Sequence, residues 1–149
     1  MKRSRQADVA RQAWELMFDY LMRTGPQRSA ALGRRGLTPN DARALWSLLE
    51  ERGKPIGALA KSWDCDPSNV TFIIDRLVRA GLATREEAPA DRRLKLVKLT
   101  PEGAKTKRDL LQDYLTPPAD LAALPREDLE LLVRLLQGLG PKRDWVATH

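Results

Sequence analysis

The chain has 149 residues, with 26 Lys and Arg against 20 Asp and Glu, a net charge of +6, one cysteine and one histidine. That length suits one domain with its own core, and the charge favours anionic partners. Cys65, alone of its kind, excludes an intramolecular disulfide and a multi-cysteine metal site, and His149, the one histidine, leaves almost no raw material for a His-ligated metal site or a Ser-His-Asp centre. No Gly-rich phosphate loop or HExxH-type site is present. No apolar run approaches the roughly 20 residues of a membrane span, and the basic start lacks a signal-peptide core. The expectation is a cytoplasmic protein with no catalytic residues, metal, cofactor or membrane partner.

A first helix is expected from about Asp8 to Arg23. Val9, Ala13, Leu16, Met17 and Tyr20 form one stripe, and Ala10, Trp14, Phe18 and Leu21 a second. The combined apolar surface is wider than one monomer core usually needs. "GPQRSAALGRRG" reads as a connector broken at Gly25-Pro26, with helix around Ser29 to Leu32. In "LTPNDARALWSLLEE" Thr38 suits the N-cap and Pro39 the first helical position, and Asp41 complements the helix dipole. Ala42, Leu45, Trp46, Leu48 and Leu49 make its buried side, and Gly53 ends it.

Pro55 opens a short helix carrying Ile56, Leu59, Ala60 and Trp63. After a brief turn, Asp66 caps and Pro67 opens another, which runs to about Ala80 and closes at Gly81. Two short helices joined by so tight a turn outline a helix-turn-helix. "LATREE", a turn in "APADRR" and the alternating "LKLVKLT" then form a hairpin. Thr100 and Pro101 start a further helix through Leu110, Leu111 and Tyr114 to a break at Pro117-Pro118. A last helix carries Leu129, Leu132, Val133, Leu136 and Leu139, with Leu131 and Leu135 beside them.

At about 100° per residue, Val70, Ile73, Ile74 and Leu77 of the second short helix face the core. Ser68, Phe72, Asp75 and Arg79 point away, with Asn69, Thr71 and Arg76 at the margins. Small polar groups near a helix N-terminus suit base edges in a major groove; the competing reading is a solvated polar face. Phe72 either packs against the wing or first helix, or touches a thymine methyl. A hairpin tip is narrow enough for a minor groove, whose negative potential attracts arginine. Asp91, two residues before Arg93, is placed to pair with its guanidinium and hold its direction, leaving Arg92 for phosphate. The bland alternative is an exposed ion pair contributing about 0–1 kcal/mol.

"DRRLKLVKLT" after "SNVTFIIDRLVRAGL" and "LTPNDARALWSLLEERGKPIGALAKSW" resembles the MarR family of winged-helix transcriptional regulators. Asp91, Arg93, Val97, Leu99, Thr100 and Gly103 fit that family's wing motif, D-x-R-x-x-x-V-x-L-T-x-x-G, and the resemblance covers about residues 8–140. It implies a mainly α fold with a small two- or three-stranded antiparallel sheet. Residues 1–36 would form an N-terminal dimerisation helix and connector, 37–100 the winged helix-turn-helix, and 101–149 the C-terminal dimerisation helices. It also implies a homodimer that binds double-stranded DNA at a palindromic operator, usually as a repressor. Release is often by a small aromatic or phenolic effector, or by thiol oxidation.

The base-reading residues would then be Pro67, Ser68, Asn69, Thr71, Phe72 and Arg76. The wing would supply Asp91, Arg92, Arg93 and Lys95, and phosphate contacts would come from Lys54, Lys61, Ser62 and Arg79. Val9, Trp14, Met17, Leu21, Leu129, Leu132, Leu136 and Leu139 would form the dimer interface. Trp14, Phe18, Arg43 and Trp46 are candidates to line an effector pocket. The chain departs from oxidation-sensing relatives: Cys65 sits before the recognition helix, where an apolar core role is expected. Pro117-Pro118 also interrupts the long helix that normally joins the two lobes. The alternative function is a winged-helix protein-interaction module without specific DNA binding, against which Arg76, Arg79, Arg92, Arg93 and Lys95 speak.

Overall fold

The computed structural model describes residues 2–140 of the chain. Helix α1 spans Lys2–Arg23, α2 Gly25–Gly33 and α3 Pro39–Ser47; strand β1 is Lys54–Pro55. Helices α4 (Ile56–Trp63) and α5 (Pro67–Arg79) precede the hairpin strands β2 (Ala83–Ala88) and β3 (Asp91–Leu99). Helices α6 (Pro101–Leu115), α7 (Ala119–Ala122) and α8 (Arg126–Gly138) complete the order. The sheet is antiparallel in the order β1-β3-β2, so the fold is mainly helical with a three-stranded wing sheet. His149 and the rest of 141–149 lie outside the described residues.

Four boundaries differ from the sequence expectation. Helix α1 begins at Lys2 rather than near Asp8, since nothing in the polar stretch "KRSRQA" breaks a helix. The connector is helical from Gly25, as α2, and not only around Ser29 to Leu32: Pro26 sits in its first turn, where a missing N–H is tolerated, and Ala31 and Leu32 face the core. Helix α3 stops at Ser47, not Gly53, because buried Leu48 turns extended. The carbonyl of the next residue, Leu49, then accepts from Leu99 N–H of β3 at 2.8 Å. Pro55 pairs in β1 and serves as N-cap of α4 rather than as its first residue.

One core holds the lobe together. Leu45, Leu48, Leu59, Ile74, Leu77 and Leu110 are fully buried beneath the sheet residues Val97 and Leu99. Each such side chain contributes about 1.5–3 kcal/mol by leaving water. Two glycines are required by the backbone. Gly81 closes α5 in the left-handed region, at φ 73°. At Gly103, a Cβ would lie 1.8 Å from the carbonyl oxygen of Leu82, so α6 can dock on the start of the hairpin only without a side chain there. Helices α1 and α8 supply no buried residue to this core.

Candidate nucleic-acid interface

Three residues separate α4 from α5. Asp64 takes a left-handed conformation (φ 50°), and the Cys65 N–H returns to the Ala60 carbonyl at 3.1 Å. Half-buried Cys65 packs against the core. Asp66 caps α5: its Oδ1 accepts from Ser68 N–H at 2.8 Å and from Ser68 Oγ at 2.6 Å. These bonds hold the Asp66 carboxyl below its usual range, and its charge suits the positive end of the helix.

The faces of α5 fall where periodicity puts them. Val70, Ile73, Ile74 and Leu77 are buried; Pro67, Ser68, Asn69, Thr71, Phe72 and Arg79 are exposed. Phe72 is 63% exposed, so neither the wing nor α1 covers it. The one acid on this face, Asp75, receives Arg85 of β2 at 2.6 Å.

Arg76 is turned inward. Its Nε and Nη2 donate to Asp41 Oδ1 and Oδ2 at 3.2 and 3.0 Å. Asp41, 1% exposed, also accepts from Thr38 N–H at 2.8 Å and completes a capping box on α3. Burial pushes against ionisation of Asp41, but the hydrogen bonds from Arg76 and Thr38 outweigh it and hold the carboxyl below its usual value. Arg76 therefore ties the recognition helix to α3, a bond the sequence reading did not contain.

The wing tip differs from expectation in one bond. Asp91 Oδ1 accepts from the backbone N–H of Arg93, at 2.9 Å, and not from its guanidinium. A short acidic side chain reaches the N–H two residues on more readily than a long, mobile arginine head. Among the described residues no carboxylate pairs with Arg92 or Arg93, both exposed, whereas Lys95 is matched by Glu87 at 2.8 Å. Around the lobe, Lys61 and Arg79 are exposed, Lys54 Nζ donates to the Ser47 carbonyl at 2.7 Å, and Ser62 Oγ to that of Leu59 at 3.1 Å.

A second feature lies on the far side. Trp14, Met17, Phe18 and Leu21 of α1 face Leu132 and Leu136 of α8 across an apolar groove of about 760 Å³, floored by Tyr114, Leu121 and Leu124. Val9 and Leu139 continue the exposed apolar surface, and Leu129 is half-buried. At the groove's edge Tyr20 donates to Asp120 at 3.0 Å; burial, then this bond, raises its phenol pKa. Arg43 and Trp46 do not line the groove. Arg43 lies over the Trp63 ring, 5.3 Å from its centre, and donates to the Trp63 carbonyl. Trp46 meets the groove residue Tyr114 edge-on at 5.0 Å. No helix among the described residues is long and apolar enough to cross a membrane, and no acidic, His or Cys cluster there could hold a metal.

The family model described as MarR family matches residues 37–95. The chain is 36% identical over 109 residues to YhbI of Bacillus subtilis, an HTH-type transcriptional regulator, across 69% of this chain and 71% of that one. The structure superposes on YusO of B. subtilis with a TM-score of 0.73 at 24% identity, covering 89% and 96% of the two chains. It superposes on a mutant of S. aureus MepR bound to an oligodeoxyribonucleotide with a TM-score of 0.69 at 19% identity, covering 85% and 98%. The wing motif, the helix-turn-helix and these likenesses agree: the chain belongs to the MarR family of winged-helix transcriptional regulators.

Proposed function

We propose that the protein is a sequence-specific DNA-binding repressor, a cytoplasmic homodimer on a palindromic operator and not an enzyme. Residues 37–100 act as its DNA-binding lobe, and the helices of 1–36 and 101–149 pair two copies. In this reading α5 enters the major groove, where Ser68, Asn69, Thr71 and Phe72 meet base edges beside Pro67. Arg76 acts from behind, through Asp41. Arg93 enters the minor groove, with Asp91 fixing the backbone that carries it, and Arg92 and Lys95 meet phosphate. Lys61 and Arg79 add phosphate contacts, with Lys54 and Ser62 steadying the same surface. The groove between α1 and α8 closes between two copies and leaves space for a small aromatic effector.

The observation that carries this reading is the pair of arginines without carboxylate partners at the tip of a hairpin, on the same lobe as an exposed polar helix face. Titration of the full-length chain against its own upstream DNA at several salt concentrations tests it. Each phosphate neutralised contributes about −0.9 to the slope of log K against log salt. Arg92→Ala is expected to make the slope shallower by about one unit. Arg93→Ala should lose most affinity on operators whose wing-facing steps are A·T-rich. No DNA binding at low salt would leave the lobe as a protein-interaction module, and equal slopes in the parent and both variants would remove the two arginines from the phosphate contacts.

A further inference from the structure

Both hydroxyls on the outer face of α5 are already spent as donors. Ser68 Oγ lies 2.6 Å from Asp66 Oδ1. An ionised carboxylate can only accept, so the Ser68 hydrogen points at Asp66. Thr71 Oγ1 lies 2.9 Å from the Pro67 carbonyl oxygen, which also only accepts. Each hydroxyl therefore shows lone pairs, and no hydrogen, to whatever approaches the helix. Turning the Ser68 hydrogen outward would break a charge-assisted bond. Four residues after Ser68, one turn along, Phe72 offers a bare ring to the same side.

Two other polar groups nearby are occupied, while the exposed Asn69 amide can both donate and accept. Arg76, whose fork would suit guanine, is held by Asp41. Asp75 is neutralised by Arg85. In a major groove, adenine N6 and cytosine N4 carry donors, guanine N7 and O6 and thymine O4 only accept, and thymine adds a 5-methyl group. An acceptor-only hydroxyl has a partner in the first two and none in the rest.

Given the reading of α5 as the base-reading helix, we infer that Ser68 and Thr71 accept hydrogen bonds from exocyclic amino groups of adenine or cytosine, and that Phe72 packs on a thymine methyl. At these three side chains the half-site is then selected by amino and methyl groups, and guanine's paired acceptors find no partner in the two hydroxyls.

The test uses full-length protein and a duplex selected from a randomised double-stranded library. That duplex is resynthesised with one functional group removed at a time. Deoxyuridine for thymidine deletes the 5-methyl; deoxynebularine for deoxyadenosine, or deoxyzebularine for deoxycytidine, deletes the amino group. Each is titrated against the parent, Phe72→Ala, Ser68→Ala and Thr71→Val. All three positions are exposed, and circular dichroism confirms that the variants fold.

At one thymidine, methyl deletion should weaken the parent about fourfold, as expected for one buried methyl group, and leave Phe72→Ala unaffected. At one or two bases, amino deletion should weaken the parent at least about fivefold and leave Ser68→Ala or Thr71→Val unaffected. A selected duplex indifferent to every deletion, or penalties that persist undiminished in the variants, would overturn the inference while the DNA-binding reading stands. If salt-dependent binding is found but no sequence is selected, the claim of sequence specificity and the inference fall together. No binding to any duplex at low salt removes the DNA reading itself.

Discussion

Asp41 is the one buried charged side chain among the described residues, and it serves two helices at once. Its carboxylate caps α3 through Thr38 and anchors α5 through Arg76. Arg76 is half-exposed, which screens the pair. Asp41→Asn should still cost about 2 kcal/mol, since it weakens bonds to a charged partner and to a helix N-terminus. The pH dependence has a definite sign. A carboxyl held below its ordinary value of 3.8 stabilises the fold fully above that value, and the stabilisation is lost as the pH falls through the lower folded value. Denaturant melts should therefore separate the parent from Asp41→Asn by a constant amount above about pH 5, with the gap narrowing in acid. A gap that widens in acid would contradict the assignment. The sequence shows Asp41 as a first-turn acid and Arg76 as a marginal helix residue. Their bond spans 35 positions and two helices, and no periodicity relates them.

Among the elements, α6 and the hairpin meet with no space to spare. The Gly103 N–H is capped by Thr100 Oγ1 at 3.0 Å, and the Thr100 N–H returns to the Leu82 carbonyl at 3.1 Å. A methyl at Gly103 would overlap that same carbonyl. Gly103→Ala should cost about 1–3 kcal/mol by forced displacement and lower the thermal midpoint by several degrees for a chain of this size. An unchanged midpoint would show that the contact yields freely. This glycine closes the wing motif, so the motif couples the hairpin tip to a packing constraint at its base. Most of the architecture was legible because caps, prolines and alternation are local signals: Thr38, Asp66 and Thr100 cap as expected. Helix was expected around Ser29 to Leu32, but the start of α2 was hidden because Gly25-Pro26 looks like a break when read locally, while burial of Ala31 and Leu32 decides it globally. At the candidate site the outward face of α5 was readable from helical angles, whereas the backbone bond of Asp91 was not. Spacing gives reach without saying which donor wins.

At the scale of the molecule, the winged lobe is closed upon itself and the helices outside it are not. Helix α8 has no fully buried residue, and Trp14, Phe18 and Leu21 of α1 stay exposed in the groove they line with Leu132 and Leu136. Apolar surface this continuous is uncommon on a monomer, and the proposed two-fold pairing of like helices would cover it. Leu136→Arg should shift the chain to one subunit mass in light scattering at micromolar concentration and weaken operator binding, because each half-site is then met singly. A parent that already scatters as a single subunit would exclude the pairing.

The tryptophans give that pairing an optical voice. Trp14, at 64% exposure, stands in the groove wall, whereas Trp63, at 5%, lies beneath Arg43 inside the lobe. Trp46 lies between them in function, since it is the indole that touches the groove-lining ring of Tyr114. In a Trp145→Phe background, these indoles emit from three settings of different polarity. Dilution that separates two copies should redden only the Trp14 component. A compound entering the groove should disturb Trp14 and, through Tyr114, Trp46, while Trp63 stays constant as an internal reference. If two copies pair and the groove takes a ligand as proposed, the chain thus carries its own unlabelled colour scale for both events.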